Sequence, residues 1–386
     1  MPTTRSADKG EAVHSQNGEG QHLGSKHDIR EKPISESKRA KTDDNKKQLT
    51  IEDRIPSPTE AYGNGHGPRK SSDEANGSKP KNDSGDDRSQ VNANKKDTAE
   101  EASARQGTVP SNILEKGLIY FFFRGRVGIE EPSEVNEIQR SYMLLRPLDK
   151  DAKLGEGTIK DVGNTRLIAV PKKVFPQSGR DRWLAFVEKS SVSFSTLKDE
   201  FLSATDYMTK TVGARHSPAA TPAAEGVYVI TTTGRESHLA YVITLPSSLG
   251  EVQTELGLKE KGSFVLSTRN PQTSAPQGTA LPESADYPQE IQDDFRSRRW
   301  MPTEPKHLDY TNTQFLLIGE SSGIEKATEP QKEDEEQGKE KPEDELEKLE
   351  DEDTNRMQDL KGDESDSIFA DLHVRAKDYP KLQTTF

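Results

Sequence analysis

The chain has 386 residues, of which 29% are hydrophobic, 6% aromatic and 31% charged, and its formal net charge is −13. This composition excludes a chain that folds along its whole length, because strongly polar segments cannot bury enough apolar surface to offset the entropy of ordering them. The sequence contains no cysteine, which excludes disulfide scaffolds, thiol catalysis and zinc sites built on cysteine.

Aromatic residues locate the folded part of the chain, because they bury large areas and dominate core energetics. Of the 23 Phe, Trp and Tyr residues, 19 lie between residues 111 and 320. We therefore expect a disordered N-terminal tail over residues 1–110, a folded core domain over residues 111–320 and an acidic, largely disordered C-terminal tail over residues 321–386. The core has 25 Lys and Arg against 27 Asp and Glu, a balance that disfavours direct nucleic-acid binding.

The N-terminal tail contains one dense basic cluster, at Lys38, Arg39 and Lys41. It resembles a nuclear localisation signal; the alternative is a chance cluster in a charged tail. The first residues lack the apolar core of a secretory signal, and the longest apolar run, residues 118–123, is far shorter than the roughly 20 residues that span a bilayer. We expect an intracellular protein, nuclear or otherwise cytoplasmic, with no membrane contact.

The core is predicted to consist mainly of strands, because aromatic and β-branched runs alternate with turn residues. Residues 118–123 are apolar on both faces and predict a central strand. Two of the later strands are joined by a Gly-containing turn at residues 233–236, which indicates a hairpin. The other predicted strands are 142–145, 165–170, 183–187, 227–231, 239–245, 264–267 and 315–318.

Three short helices are predicted between these strands. Ser248 and Glu251 have the spacing of a capping box, and Gly257 suits the end of the helix that the box would open. Apolar stripes indicate the two other helices, one at Phe194, Leu197 and Phe201 and one after Pro288 at Ile291 and Phe295. The predicted fold class is α+β: a mainly antiparallel β core with three or four short helices, one arrangement of which is a barrel-like sheet with helices at its rim.

No established catalytic motif occurs in the sequence: the P-loop, the G-x-S-x-G elbow and H-E-x-x-H are all missing. The core histidines, His216, His238 and His307, lack metal-ligand spacing. The sequence therefore predicts neither a metal nor a cofactor, and it favours a protein without enzymatic activity.

The strongest candidate for a site is a group of cations that could hold a carboxylate or a phosphate. Arg124 and Arg126 lie on one side of the central strand if that strand continues, and two adjacent guanidinium groups favour an anion between them. Ion pairs with Glu130, Glu131 or Glu236 are the alternative. The further members of a convergent anion pocket would be Lys210, Arg215 and His216 in a loop, and Arg235 and His238 at the hairpin tip.

A second basic cluster follows the helix after Pro288, at Arg296, Arg298 and Arg299. These residues lie beside Trp300 and could contact nucleic acid. Because Asp293 and Asp294 precede them, the sequence favours a charge-balanced helix end, where the helix dipole stabilises cations.

The acidic tail carries one candidate peptide for binding a partner, formed by Ile368, Phe369 and Leu372 among acidic residues. Such a mixture can dock as an amphipathic helix into a partner's groove. The alternative is a tail that stays solvated.

Five segments of the core resemble an uncharacterised family that is common in filamentous fungi and has bacterial relatives. The resemblance covers about residues 112–320, and some fungal members are labelled BTB domain transcription factors, which implies a nuclear regulatory role. The segments are KGLIYFFFRGRVGIEEPSEVNEIQRSYMLLRP, GRDRWLAFVEK, GRESHLAYVITLP, FRSRRWMP and KHLDYTNTQFLLIGE.

The leading functional hypothesis is a nuclear, non-enzymatic interaction or regulatory protein with protein partners, associated with transcription or chromatin. The alternative is an enzyme or small-molecule binder that uses the basic pocket for a phosphate or carboxylate ligand.

Overall fold

The fold is α+β and mainly antiparallel, as predicted from the sequence. It is described from a computed structural model, which covers residues 97–98, 109–209, 213–275, 277–361 and 372. The strands are β1 (Asp97–Thr98), β2 (Ile113–Gly125), β3 (Ile138–Leu148), β4 (Thr158–Ile159), β5 (Thr165–Val170), β6 (Arg182–Val192), β7 (Thr205–Thr209), β8 (Gly213–Ser217), β9 (Ala220–Thr232), β10 (Ser237–Leu245), β11 (Lys261–Arg269), β12 (Trp300–Pro302) and β13 (Gln314–Gly319).

Five α-helices accompany these strands in the described residues, and four of them are short. The first continues directly into a single π-helical turn, Lys198–Leu202. The helices are α1 (Phe194–Leu197), α2 (Glu251–Glu255), α3 (Gln289–Asp294), α4 (Lys332–Glu336) and α5 (Pro342–Lys361).

Eight long strands close into an antiparallel barrel in the order β2-β3-β5-β6-β13-β11-β10-β9. Closure depends on β11, which pairs with β13 along one edge and with β10 along the other. The short strand β12 extends the sheet by pairing with the last residues of β11. Each of the eight predicted strands lies within one of these eight barrel strands, and the hairpin at residues 233–236 joins β9 to β10 as predicted.

The central strand β2 is buried on both faces, as its sequence predicted. Ile119, Phe121 and Phe123 point into the barrel, whereas Leu118, Tyr120 and Phe122 belong to a separate cluster on the outside. The interior is filled by aromatic rings: the Phe121 ring centroid lies 5.1 Å from that of Phe175 and 5.2 Å from that of Tyr241.

Two of the predicted helices have the expected buried stripe. Phe194, Leu197 and Phe201 are buried around α1, and Ile291 and Phe295 are buried around α3. The helical spacing of aromatic and aliphatic side chains predicted these helices, and in the structure the same side chains pack in the core.

The third predicted helix, α2, begins two residues later than its capping box indicated. Gly250 precedes the helix, and its backbone N–H donates to Gln253 Oε1 at 2.9 Å, so Gln253 takes the role that Glu251 was expected to play. The other end agrees with the sequence. Gly257 has φ +81°, and a Cβ there would lie 2.8 Å from the carbonyl oxygen of Phe175, so a side chain at this position is excluded twice.

The folded domain extends beyond residue 320, where the sequence analysis placed its end. Helix α5 buries Leu346, Leu349 and Met357 against the outer face of the barrel, and the preceding segment buries Ile324 and Ala327. Aromatic content did not reveal this, because the segment is held by aliphatic side chains and buried charges. The expected disorder of residues 1–96 lies outside the described residues.

The described residues also include two small pairings apart from the barrel. Strand β1 pairs in parallel with β4, and β7 pairs with β8 as an antiparallel hairpin. No helix in the described ranges is both long enough and apolar enough to span a membrane.

Candidate functional site

The cations predicted to form one anion pocket lie at opposite ends of the barrel. Arg124 is opposite Ala220, the first residue of β9, whereas Arg235 follows Thr232 at the other end of that strand. The 13 residues of β9 separate these ends by roughly 40 Å at the usual rise of an extended chain. The prediction that these cations converge in one pocket is therefore wrong. Lys210 lies outside the described residues.

Arg124 is buried on the outer face of β2, beneath the turn that follows α1. Its Nη1 donates to Ser217 Oγ at 3.2 Å, and its Nη2 donates to the carbonyl oxygen of Phe201. The guanidinium lies 5.3 Å from the centroid of the Phe201 ring and 5.9 Å from that of Tyr142, within the range of cation–π attraction. The Arg124 side chain therefore packs against these rings and holds the turn that follows α1.

Arg126 is exposed, whereas Arg124 is buried. Strand β2 ends at Gly125, so the alternation assumed from the sequence does not extend to Arg126. The backbone N–H of Arg126 instead donates to the carbonyl oxygen of Glu137 at 2.8 Å.

His216 forms the ion-pair arrangement that was the alternative to the pocket. Its Nδ1 lies 2.7 Å from Asp206 Oδ1, and its Nε2 lies 3.4 Å from Glu130 Oε1. Arg215, the preceding residue of β8, is opposite Tyr207 in the β7–β8 hairpin.

His238 is fully buried near the hairpin tip and also meets carboxylates. Its Nδ1 lies 2.9 Å from Glu320 Oε2, an oxygen that also accepts from Ser263 Oγ at 2.8 Å. Burial opposes ionisation of Glu320, but the hydrogen bonds from His238 and Ser263 hold its pKa below the usual value. The group fastens the chain after β13 to the barrel, while Arg235 is exposed at the tip.

Glu188 lies among cations on β6 but forms no close pair with any of them. Burial raises the pKa of its carboxyl, and the charges of Arg140 and Arg124 oppose that rise. Its Oε2 is buried without a hydrogen-bond partner. Arg140 is directly opposite Arg124 across β2 and β3, so two cations and one unpaired carboxyl occupy this part of the outer face.

Helix α5 covers an outer wall of the barrel made by β2, β9 and β10, and it does so through buried ion pairs. Lys116 Nζ lies 2.8 Å from Glu345 Oε1, and both side chains are fully buried. Arg356 Nη2 lies 3.0 Å from Glu225 Oε1, again with both side chains fully buried. The wall therefore presents one cation and one anion, each neutralised by a residue of α5.

A different situation occurs where β11 pairs with β12. Arg269 is only 6% exposed, yet its hydrogen bonds run to uncharged groups: Nη1 donates to Gln314 Oε1 at 2.7 Å, and Nη2 donates to the carbonyl oxygen of Thr273. Its Nε is buried without a partner. Burial and the neighbouring charge of Arg299 both lower the pKa of Arg269.

The acids expected to balance this second basic cluster pair elsewhere. Asp294 accepts from Lys306 Nζ at 2.7 Å, and Asp293 accepts from Gln289 Nε2 at 2.7 Å. Arg298 donates to the carbonyl oxygens of Asp294 and Phe295, as expected for a cation at a helix end.

Sequence reasoning found the basic cluster but missed its buried neighbour Arg269. The available signal was an arginine at the end of a predicted strand, with no acid within eight residues on either side.

The remaining predicted sites lie largely outside the described residues. These include the basic cluster at Lys38, Arg39 and Lys41 and, in the acidic peptide, Ile368 and Phe369. Leu372 is described and is buried in the outer core cluster. No group of three or more potential metal-ligating side chains occurs in the part of the chain that the structure describes.

These features define an antiparallel eight-stranded barrel protein with a filled interior and charged sites on its outer surface. No protein-family model, curated protein or solved structure matches the chain.

Proposed function

We propose that this protein is a non-enzymatic interaction protein that acts in the nucleus and binds acidic amphipathic helices on the outer wall of its barrel. The observation that carries the proposal is the pairing of Lys116 and Glu225, fully buried on the wall, with Glu345 and Arg356 of α5. In this chain α5 is the resident helix, and a partner would present a helix of the same chemistry.

The wall offers a charge pattern that fixes both the register and the direction of a docked helix. Glu345 and Arg356 are 11 residues apart, which is about 16 Å along a helix. Leu346 and Leu349 lie between them and enter the outer core cluster. A helix in the reverse direction would place an acid against Glu225, and like charges in a buried contact are strongly unfavourable.

The composition of α5 suits a helix that can leave the wall. It contains nine Asp and Glu against three Lys and Arg, and Glu345 and Asp353 are the buried acids. The exposed acids repel one another and keep a released helix soluble. Buried ion pairs add little net stability over apolar contacts, because desolvation offsets much of their attraction, so a competing helix does not face a large penalty.

A peptide of residues 342–361 tests whether the wall accepts a helix in trans. The labelled peptide is added to the full chain and to a Leu349→Asp variant, which weakens the resident helix, and fluorescence anisotropy is measured. We expect saturable binding that is tighter to the variant, since the tethered helix competes at a high effective concentration. A Glu345→Lys peptide is the matched control and should bind more than 10-fold more weakly.

Two results would contradict the helix-docking proposal. One is no binding to a Leu349→Asp chain that retains its β-sheet circular dichroism. The other is equal binding of the Glu345→Lys peptide, which would show adhesion without the Lys116 contact.

The nuclear part of the proposal is supported by the basic cluster at residues 38–41 and by the resemblance to a family with members labelled as transcription factors. A fluorescent fusion in which Lys38, Arg39 and Lys41 are changed to Ala should lose nuclear accumulation. Changing Lys79 and Lys81 to Ala is the control. Retained nuclear signal in the first variant removes this support.

A further inference from the structure

Arg269 is a buried cation without a matching acid. Among the described residues, three of the buried cations, Lys116, Arg166 and Arg356, each meet a carboxylate oxygen at 3.0 Å or less. Arg269 meets none within 4.0 Å anywhere in the described ranges, although only 6% of it is exposed. Burying a charge is unfavourable unless a counter-charge compensates it.

Arg299 increases this uncompensated charge. Its side chain is exposed, and its Nη2 donates to the carbonyl oxygen of Ser274 at 3.0 Å, next in the chain to the Thr273 carbonyl oxygen that accepts from Arg269. The two positive charges are therefore close enough to repel. Neither guanidinium has a carboxylate oxygen within 4.0 Å in the described ranges, so no close ion pair neutralises these two positive charges.

The backbone holds Arg299 in this position. After α3 the chain passes through two consecutive left-handed residues that are not glycine, Arg296 with φ 45° and Ser297 with φ 65°. Asn270 then fixes the following residues: its side chain donates to the carbonyl oxygen of Arg298 at 3.1 Å, and its backbone N–H donates to that of Arg299 at 2.9 Å. Strained backbone of this kind persists where surrounding contacts over-determine it, and it concentrates at functional sites.

We propose that Arg269 and Arg299 form a binding site for a phosphate group. Arg299 supplies hydrogen-bond donors from the solvent side, and Arg269 supplies a second charge from the buried side. A phosphate monoester carries about −1.5 to −2 at neutral pH and matches two guanidinium groups, whereas a carboxylate leaves one positive charge unbalanced. The site is separate from the helix-docking wall and does not depend on it.

Trp300 provides a reporter for this site. It is directly opposite Arg269 in the pairing of β12 with β11, so the two side chains lie on the same side of the sheet. The chain has two tryptophans, and a Trp183→Phe change leaves Trp300 as the single one. Titration of the full chain with inorganic phosphate at constant ionic strength should then change Trp300 fluorescence in a saturable way.

Variants of the two arginines assign the signal. Arg299→Gln should weaken phosphate binding at least 10-fold, because a charge-assisted contact is lost at an exposed position that the fold does not need. Arg126→Gln, which changes an exposed arginine at the opposite end of the barrel, is the control and should bind phosphate like the parent chain. Arg269→Gln should also lose binding, and if that variant fails to fold, Arg299→Gln still decides.

Three outcomes would overturn the proposal. The first is no saturable fluorescence change with phosphate at millimolar concentrations. The second is unchanged phosphate affinity in Arg299→Gln. The third is equal or tighter binding of acetate, which would show a carboxylate site in place of a phosphate site.

Discussion

Two regions of the barrel surface handle buried positive charge in opposite ways. Under α5, Lys116 is neutralised by Glu345 of the same chain. Where β11 meets β12, Arg269 donates to Gln314 and to a backbone carbonyl, and the neighbouring charge is another arginine. The first region shows how a chain completes its own fold; the second shows a charge that the fold leaves for something outside the chain.

The largest expected effect comes from breaking the paired region. Lys116→Met removes the cation that Glu345 meets in this buried contact, and we expect the free energy of unfolding to fall by about 3–5 kcal/mol. Chemical denaturation of the full chain measures this loss. Because two apolar residues fill such a site without an orphaned charge, the double change of Lys116 to Met and Glu345 to Leu should recover most of it.

A matched control for that change is Lys261→Met. Lys261 is also close to α5, 3.3 Å from Glu350, but its side chain is 43% exposed, so the loss should be below about 1 kcal/mol. Equal losses in the two variants would mean that burial of the Lys116 pair does not decide its contribution.

The sequence predicted the barrel strands better than the surface that covers them. The run from Leu118 to Phe123 alternates apolar side chains on both faces, and this local pattern is enough to identify a central strand. Closure by β11 could not be predicted, because it depends on which distant strand meets each edge of β11.

The packing of helix α5 on the barrel was missed for a different physical reason. Its inward stripe mixes Leu346, Leu349 and Met357 with Glu345 and Arg356, so its hydrophobic content looks too low for a docked helix. The helical spacing was visible in the sequence, but the charges count as inward-facing only when Lys116 and Glu225 are known to lie opposite.

The prediction of an anion pocket was wrong for two reasons, the position of Arg126 and the length of β9. Strand β2 ends at Gly125, before Arg126, and the full length of β9 separates Arg124 from Arg235. The residue at which a strand ends is not specified by residue type alone.

The region that holds Arg299 contains a buried histidine, and its titration sharpens the comparison. Burial lowers the pKa of His307 to about 4, below its usual value of 6.5. As the pH falls below 6.5, His307 becomes protonated in the unfolded chain but stays neutral in the folded chain. The contribution of neutral His307 to stability is therefore complete above pH 6.5 and is lost progressively as the pH falls to about 4. The loss should reach up to about 3 kcal/mol.

His307→Asn is the variant that isolates this effect. The histidine Nδ1 accepts from the backbone N–H of Glu304 at 3.0 Å, and an asparagine oxygen can replace that acceptor without a titrating ring. Denaturation between pH 7 and pH 4 should show a shallower loss of stability in the variant. An identical slope would place the acid sensitivity in other groups.

Glu188 tests an intermediate case, a partly buried acid near cations but without a close pair. Burial raises the pKa of its carboxyl above the usual 4.5, so the folded state holds a proton that the unfolded state has released. This contribution is present below pH 4.5 and is lost as pH rises through the folded pKa. Glu188→Gln should therefore stabilise the chain at pH 7, and the gain should vanish near pH 4. A destabilised variant at pH 7 would show that Arg124 and Arg140 hold the charge favourably.

The smallest expected effect separates the two regions most directly. Arg269→Gln removes a buried charge that no acid neutralises, so the two hydrogen bonds lost are offset by the desolvation and repulsion that disappear. In phosphate-free buffer we expect the free energy of unfolding to change by less than about 1 kcal/mol, in contrast to the loss at Lys116. Added phosphate at about ten times its dissociation constant should stabilise the parent chain by about 1.4 kcal/mol and the variant not at all, because only the folded parent binds it. If Arg269→Gln instead costs as much as Lys116→Met, Arg269 is a structural residue and the surplus charge belongs to the fold.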